Sequence, residues 1–174
     1  MKRVGVLGSG NVGRVLSDGF LALGHEVIRG SREPAKLASW ASGAGARARS
    51  GTFAEAAAAG ELLVLAVKGL AAETVLDQAG EAALTGKVVI DTTNPIADAP
   101  PEGGVLRYFT TLDESLMERL QRRFPRARFV KAFSCVGNAL MVNPSLPGGP
   151  PTMFMCGDDP AARAEVREVL ASFG

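Results

Sequence analysis

The feature that most constrains this chain is a glycine-patterned turn, Gly8-Ser9-Gly10-Asn11-Val12-Gly13, which follows the apolar run Val4-Gly5-Val6-Leu7 and opens a helical pattern over 11–23. A strand that ends in Gly-x-Gly-x-x-Gly and passes straight into a helix is the setting of a dinucleotide-binding turn. Gly8 permits the tight bend, Gly10 lets the backbone approach a pyrophosphate with no Cβ in the way, and Gly13 lets the helix pack closely on the strand. The helix N-terminus adds unpaired N–H groups and the positive end of the macrodipole, which favour an anion. With 21 glycines in 174 residues the spacing alone is weak. Its position between strand and helix carries the argument.

The rest of the chain repeats the alternation that this turn begins. Residues 26–29 read as a second strand buried on both faces, and a helix is expected from Pro34 through Lys36 to about Ala41. A weak strand over 43–49 precedes a helix whose Thr52 and Glu55 stand at capping-box spacing. Residues 62–67 form a strand, 71–83 a helix and 87–91 another strand. The proline- and glycine-rich stretch 97–112 reads as a long irregular loop, a candidate lid or substrate wall. Asp113 is expected to cap a helix carrying Leu116, Met117 and Leu120, followed by strands over 128–132 and 152–156 and a last helix over 160–173. This order predicts an α/β fold of the Rossmann type, a doubly wound, mostly parallel sheet forming a single domain over 1–174. Crossovers between parallel strands are right-handed, so Gly8 to Gly13, Gly30 to Arg32, Ala66 to Gly69 and Thr92 to Pro95 converge on the carboxyl edge.

The stretch Gly30-Ser31-Arg32 discriminates between nucleotides. A site for NAD places an Asp or Glu about 20 residues beyond the glycines to accept hydrogen bonds from the ribose 2′-hydroxyl. Here Ser31 and Arg32 stand at that place, with Lys36 one turn further on. A guanidinium meets a 2′-phosphate with two charge-assisted hydrogen bonds, and a hydroxyl adds a third. The pattern therefore favours NADP(H).

Nineteen Lys and Arg against eighteen Asp and Glu leave a net charge of +1, so no overall basic footprint points to nucleic acid or an anionic membrane. The run Arg119, Arg122, Arg123, Arg126, Arg128 reads as a solvated helix face and turn. Cys135 and Cys156 have no metal-ligand spacing and are expected to be mostly buried thiols in a reducing compartment. His25, the one histidine, falls at the far end of the first helix, away from the cofactor edge. No stretch is apolar for long enough to span a bilayer, and the chain enters its first strand directly after Met1-Lys2-Arg3, so a cytoplasmic protein is expected.

With the glycine turn, Gly30-Ser31-Arg32, Asp91-Thr92-Thr93-Asn94-Pro95 and Lys131-Ala132-Phe133-Ser134 in this order, nearly the whole chain resembles the NADP-dependent oxidoreductases that use the deazaflavin coenzyme F420. The resemblance implies that Ser9, Gly10, Asn11 and Val12 wrap the pyrophosphate, that Ser31, Arg32 and Lys36 hold the 2′-phosphate, and that Ala66, Val67 and Asn94 face the nicotinamide half. It also implies a small-molecule hydride acceptor, a deazaflavin or flavin, near the loop Lys131 to Gly137. Relatives continue beyond the last helix into elements that help form a dimer, so a weak homodimer or a monomer is expected. Hydride exchange between stacked rings needs no acid, base or nucleophile from the protein, and none is singled out. Two other readings remain open. One is a module that binds or senses NADPH without turnover; the other is an NADPH reductase of a carbonyl or imine, for which Lys68 is the candidate proton donor.

Overall fold

A computed structural model describes residues Met1–Gly174. Six strands, β1 (Arg3–Leu7), β2 (Glu26–Gly30), β3 (Ala48–Gly51), β4 (Leu62–Leu65), β5 (Val88–Asp91) and β6 (Arg128–Lys131), form one parallel sheet in the order β3-β2-β1-β4-β5-β6. The order reverses between β1 and β4, which places the switch point of a Rossmann fold directly above Leu7 and Leu65. The helices are α1 (Asn11–Ala22), α2 (Ala38–Gly43), α3 (Phe53–Ala59), α4 (Ala72–Ala79), α5 (Glu81–Leu84), α6 (Leu116–Arg123) and α7 (Pro160–Phe173). None of them is long and apolar enough to cross a membrane.

Side chains alternate across the sheet with a period of two, and both faces are covered. Val4, Val6, Val27, Leu62, Val64, Val88 and Ile90 enter a core of 19 buried residues on the α1 and α7 side, while Leu7, Ile28, Leu63, Leu65 and Val89 enter one of 18 on the other. Burial on two faces explains why these strands read as unbroken apolar runs rather than alternating ones.

Four local expectations are corrected. The helix over 71–83 breaks at Gly80, whose φ of 88° ends α4 before α5 begins. Ser115, not Asp113, caps α6: its side chain accepts from the Glu118 N–H while the Glu118 carboxylate accepts from the Ser115 N–H. Residues 152–156 are not a strand. Only Lys131 and Cys156 pair there, antiparallel and through two backbone hydrogen bonds, where a strand needs a ladder. The stretch 97–112 is less irregular than expected, because its first part is a hairpin. Ile96 bridges Tyr108, Glu102 bridges Val105, and the turn between them holds Gly103 and Gly104 at φ 57° and 81°. Two successive left-handed residues make the tight turn that matches strand twist, and a Gly-Gly pair supplies them at no steric cost.

Candidate functional site

The carboxyl ends of β1, β2, β4 and β5 enclose a cleft of about 880 Å³. Ser9, Gly10, Asn11, Val12, Ser31, Arg32, Lys36, Ala66, Val67 and Asn94 all line it, so ten of the twelve residues singled out in the sequence meet in one place. Gly8 and Gly13 lie beneath the wall. A Cβ on Gly8 would stand 2.1 Å from the Ala66 carbonyl oxygen, and one on Gly13 2.6 Å from the Gly8 carbonyl oxygen. These two glycines serve the packing of turn, strand and helix. Around Gly10 there is no atom within 4 Å of a Cβ position. Nothing in the folded chain requires a glycine there, so the open space above it fits a group that comes from outside, as a pyrophosphate cradle demands. Gly10 is the N-cap of α1, no side chain caps that end, and the first turn holds no acidic residue, so its donors are free for an anion.

At the end of β2, Ser31 is 5% exposed and its Oγ accepts from the Glu33 N–H at 3.1 Å, which leaves the hydroxyl hydrogen to donate. Arg32 is exposed and makes no ion pair, whereas Lys36 is held by Glu33 at 2.7 Å. That hydrogen bond and charge from Lys36 hold the Glu33 carboxyl below its ordinary range. Glu33 therefore stands in the cleft with its charge answered, and Arg32 is the cation free to meet a phosphate.

The far end is built on a buried network. Asp91, fully buried, accepts from the Thr93 N–H and Oγ–H at 2.9 and 2.7 Å through one oxygen, and from Lys131 Nζ at 2.7 Å through the other. Lys131 Nζ also donates to the Thr93 carbonyl. This ties the carboxyl ends of β5 and β6 together. Just beyond, Phe133 turns at φ 63°, a left-handed conformation that costs a bulky residue about 1–3 kcal/mol. Its ring is anchored in the core against Phe173, and the turn delivers the Ser134 carbonyl to the Asn94 side-chain amide at 3.0 Å. The loops after β5 and β6 are thereby fixed to one another.

Sequence reasoning missed two parts of this wall and a third feature beside it. Thr74 and Gln78 face the cleft from α4, one helical turn apart, a spacing legible only once the helix face toward the site is known. Ile96, Ala97 and Asp98 enter from the base of the hairpin. Arg29, read as one residue of a buried strand, is the third. It is 2% exposed, donates to the Gly10 carbonyl at 3.2 Å, and lies 4.7 Å from the Trp40 ring centroid. Burial pulls its pKa down, Asp18 raises it and Arg14 lowers it. A cation–π contact contributes about 0.5–2 kcal/mol, less than the several kcal/mol that a sealed charge loses in hydration. Lys68, the candidate proton donor, is exposed at the rim of the cleft.

The remaining sequence candidates lie away from the cleft or differ from expectation. Cys135 and Cys156 are both exposed, not buried, because they sit on the loop after β6 and on the segment that bridges its edge at Lys131. The arginine run is paired throughout: Arg119 and Arg122 with Glu114, Arg123 with Asp77, Arg126 with Glu81, and Arg128 with Asp159. His25 Nδ1 accepts from the Lys2 N–H at 3.1 Å, at the opposite edge of the sheet.

The sequence pattern of the family described as NADP oxidoreductase coenzyme F420-dependent matches residues 3–95. The chain is similar to the solved structure of an Arthrobacter sp. FB24 protein assigned as an F420-dependent NADP reductase. The two are 36% identical with a TM-score of 0.90, over 100% of this chain and 81% of that one. It is 30% identical to the metalloreductase STEAP3 of Rattus norvegicus over 99% of this chain, which spans 32% of that relative's length. An imine reductase of Bacillus cereus, 22% identical over 99% of this chain and 52% of its own with a TM-score of 0.73, shares the fold.

Proposed function

From the chain's place in the family of coenzyme F420-dependent NADP oxidoreductases, to which it belongs, we propose that it passes a hydride between NADP(H) and a deazaflavin or flavin-like acceptor. The observation that carries this reading is the single cleft that runs from the free guanidinium of Arg32, past the open space at Gly10, to Asn94 beside the hairpin. When bound, the reduced nucleotide supplies the hydride. The chain's own task is alignment. Ser9, Gly10, Asn11 and Val12 hold the pyrophosphate on the N–H groups of α1, and the Ser31 hydroxyl with Arg32 takes the 2′-phosphate. Ala66, Val67 and Asn94 set the nicotinamide ring. Asn94, tied to the Ser134 carbonyl, and Ile96, Ala97 and Asp98 at the base of the hairpin wall the acceptor side.

The test mixes the purified protein and NADPH with coenzyme F420, free flavins, ferric chelates and a panel of carbonyls and imines, each separately, and follows nicotinamide absorbance. Oxidation of NADPH by a deazaflavin or flavin is the expected result. Turnover of a carbonyl or imine alone, abolished in Lys68→Ala, overturns the acceptor assignment and makes Lys68 the proton donor. Tight binding of NADPH with no turnover in any arm makes the chain a nucleotide-binding module.

A further inference from the structure

A second cavity, of about 340 Å³, opens beside the glycine turn. It shares Ser9, Gly10, Asn11 and Lys36 with the main cleft, and its own walls include Arg14, Arg29 and Trp40. Three cations and no carboxylate line it. Two of the three are answered from behind: Arg14 stands 3.7 Å from Asp18, and Lys36 is 2.7 Å from Glu33. Arg29 has no ion pair at all. Its Nε is buried with no hydrogen-bond partner, its one donated bond goes to the Gly10 carbonyl, and Trp40 covers it, held in turn by a 2.8 Å bond from its Nε1 to Asp18. A guanidinium cannot shed its proton to escape burial, and Asp18, whose charge reaches Arg29, is engaged with Trp40 and Arg14 and forms no ion pair with it, so the sealed cation calls for an anion in direct contact. The uncapped N-terminus of α1 opens on the same space.

We propose that this cavity is an anion subsite for a phosphomonoester dianion, with Arg29 as its fixed charge and Arg14 and Lys36 closing over it. The dianion comes either from the 2′-phosphate of the nucleotide, reaching past the shared wall at Ser9 and Lys36, or from free phosphate held beside the nucleotide. The first source rests on reading the main cleft as an NADP(H) site, and the second does not. Arg29 thus extends nucleotide recognition beyond Ser31 and Arg32, or gives the chain a phosphate sensor at its pyrophosphate turn.

Trp40 is the one tryptophan of the chain and stacks on Arg29, so its emission reports the cavity directly. The experiment titrates the full chain with 2′,5′-ADP, 5′-ADP and inorganic phosphate while following that emission. NADPH and NADH affinities are then measured for wild type, Arg29→Met and Arg14→Gln. A response to 2′,5′-ADP but not 5′-ADP, with the NADPH-over-NADH preference falling about tenfold in either variant, supports the nucleotide source. A saturable response to inorganic phosphate that persists with NADPH bound, and is lost in the variants, supports the free source. No response to either dianion, or equal losses of NADPH and NADH affinity in both variants, overturns the proposal and leaves Arg29 as a support of the turn. Arg14 is mostly exposed, so Arg14→Gln keeps the test decisive if Arg29→Met fails to fold. Turnover of NADPH is read separately, so a chain that oxidises NADPH yet shows no response fails only here.

Discussion

Single residues at the glycine turn separate what folding needs from what a ligand needs. Gly10→Val places its side chain in open space at an N-cap with φ −78°, so it should fold normally, with stability changed by less than about 1 kcal/mol. NADPH affinity should nonetheless fall at least tenfold, because the branched side chain occupies the pyrophosphate position. Gly8→Ala should behave in the opposite sense. At a φ of 152° the added Cβ would stand 2.1 Å from the Ala66 carbonyl oxygen and strain the turn, and the loss should show first in thermal unfolding. A Gly10→Val protein that binds NADPH like wild type would remove the cradle from the argument. At the other phosphate, Arg32→Ala deletes a charge-assisted pair worth about 1.5–3 kcal/mol, so NADPH affinity should drop about ten- to a hundred-fold while NADH affinity hardly moves. Parallel titrations of both nucleotides check it.

At the scale of elements, the caps and the buried pair decide which stretches hold. Ser115→Ala removes half of a capping box and should cost about 1 kcal/mol, whereas Asp113→Ala, which touches no helix donor, should be close to neutral. Chemical denaturation of the two variants distinguishes them, and equal losses would return the cap to Asp113. Where β5 meets β6, Lys131→Met leaves the fully buried Asp91 carboxylate without its cation and should cost about 3–5 kcal/mol. Adding Asp91→Asn to Lys131→Met should restore part of that loss. A double variant no more stable than the single one would show that Thr93, not the charge pair, fixes the strand ends. The apolar runs of β1, β2, β4 and β5 and the capping box at Thr52 were legible because each is local. The break at Gly80 and the hairpin turn at Gly103 and Gly104 had local signals too, in glycines that need positive φ. Residues 152–156 had none, since pairing with β6 depends on how a distant loop approaches that edge.

For the molecule as a whole, the pH dependence of stability near neutrality should reflect His25. Burial, then the positive N-terminus, hold its pKa below the ordinary 6.5. The unfolded chain therefore binds the proton more readily, so stability should decline as pH falls from about 6.5 toward the lowered folded value, before the carboxylates titrate. His25→Asn should flatten the midpoint of unfolding across that window, and an unchanged slope would assign the decline elsewhere. The sequence by itself determined the sheet and the edge at which ligands gather, because strand burial on two faces and a glycine turn between strand and helix are properties of contiguous residues. Ten residues chosen from it line one cleft for that reason. Only the tertiary structure decided that Arg29 is sealed under Trp40, that Thr74 and Gln78 reach the cleft, and that both cysteines face solvent. Whether a side chain is hydrated, paired or stranded depends on atoms contributed by elements far apart in the chain, and no local pattern encodes them.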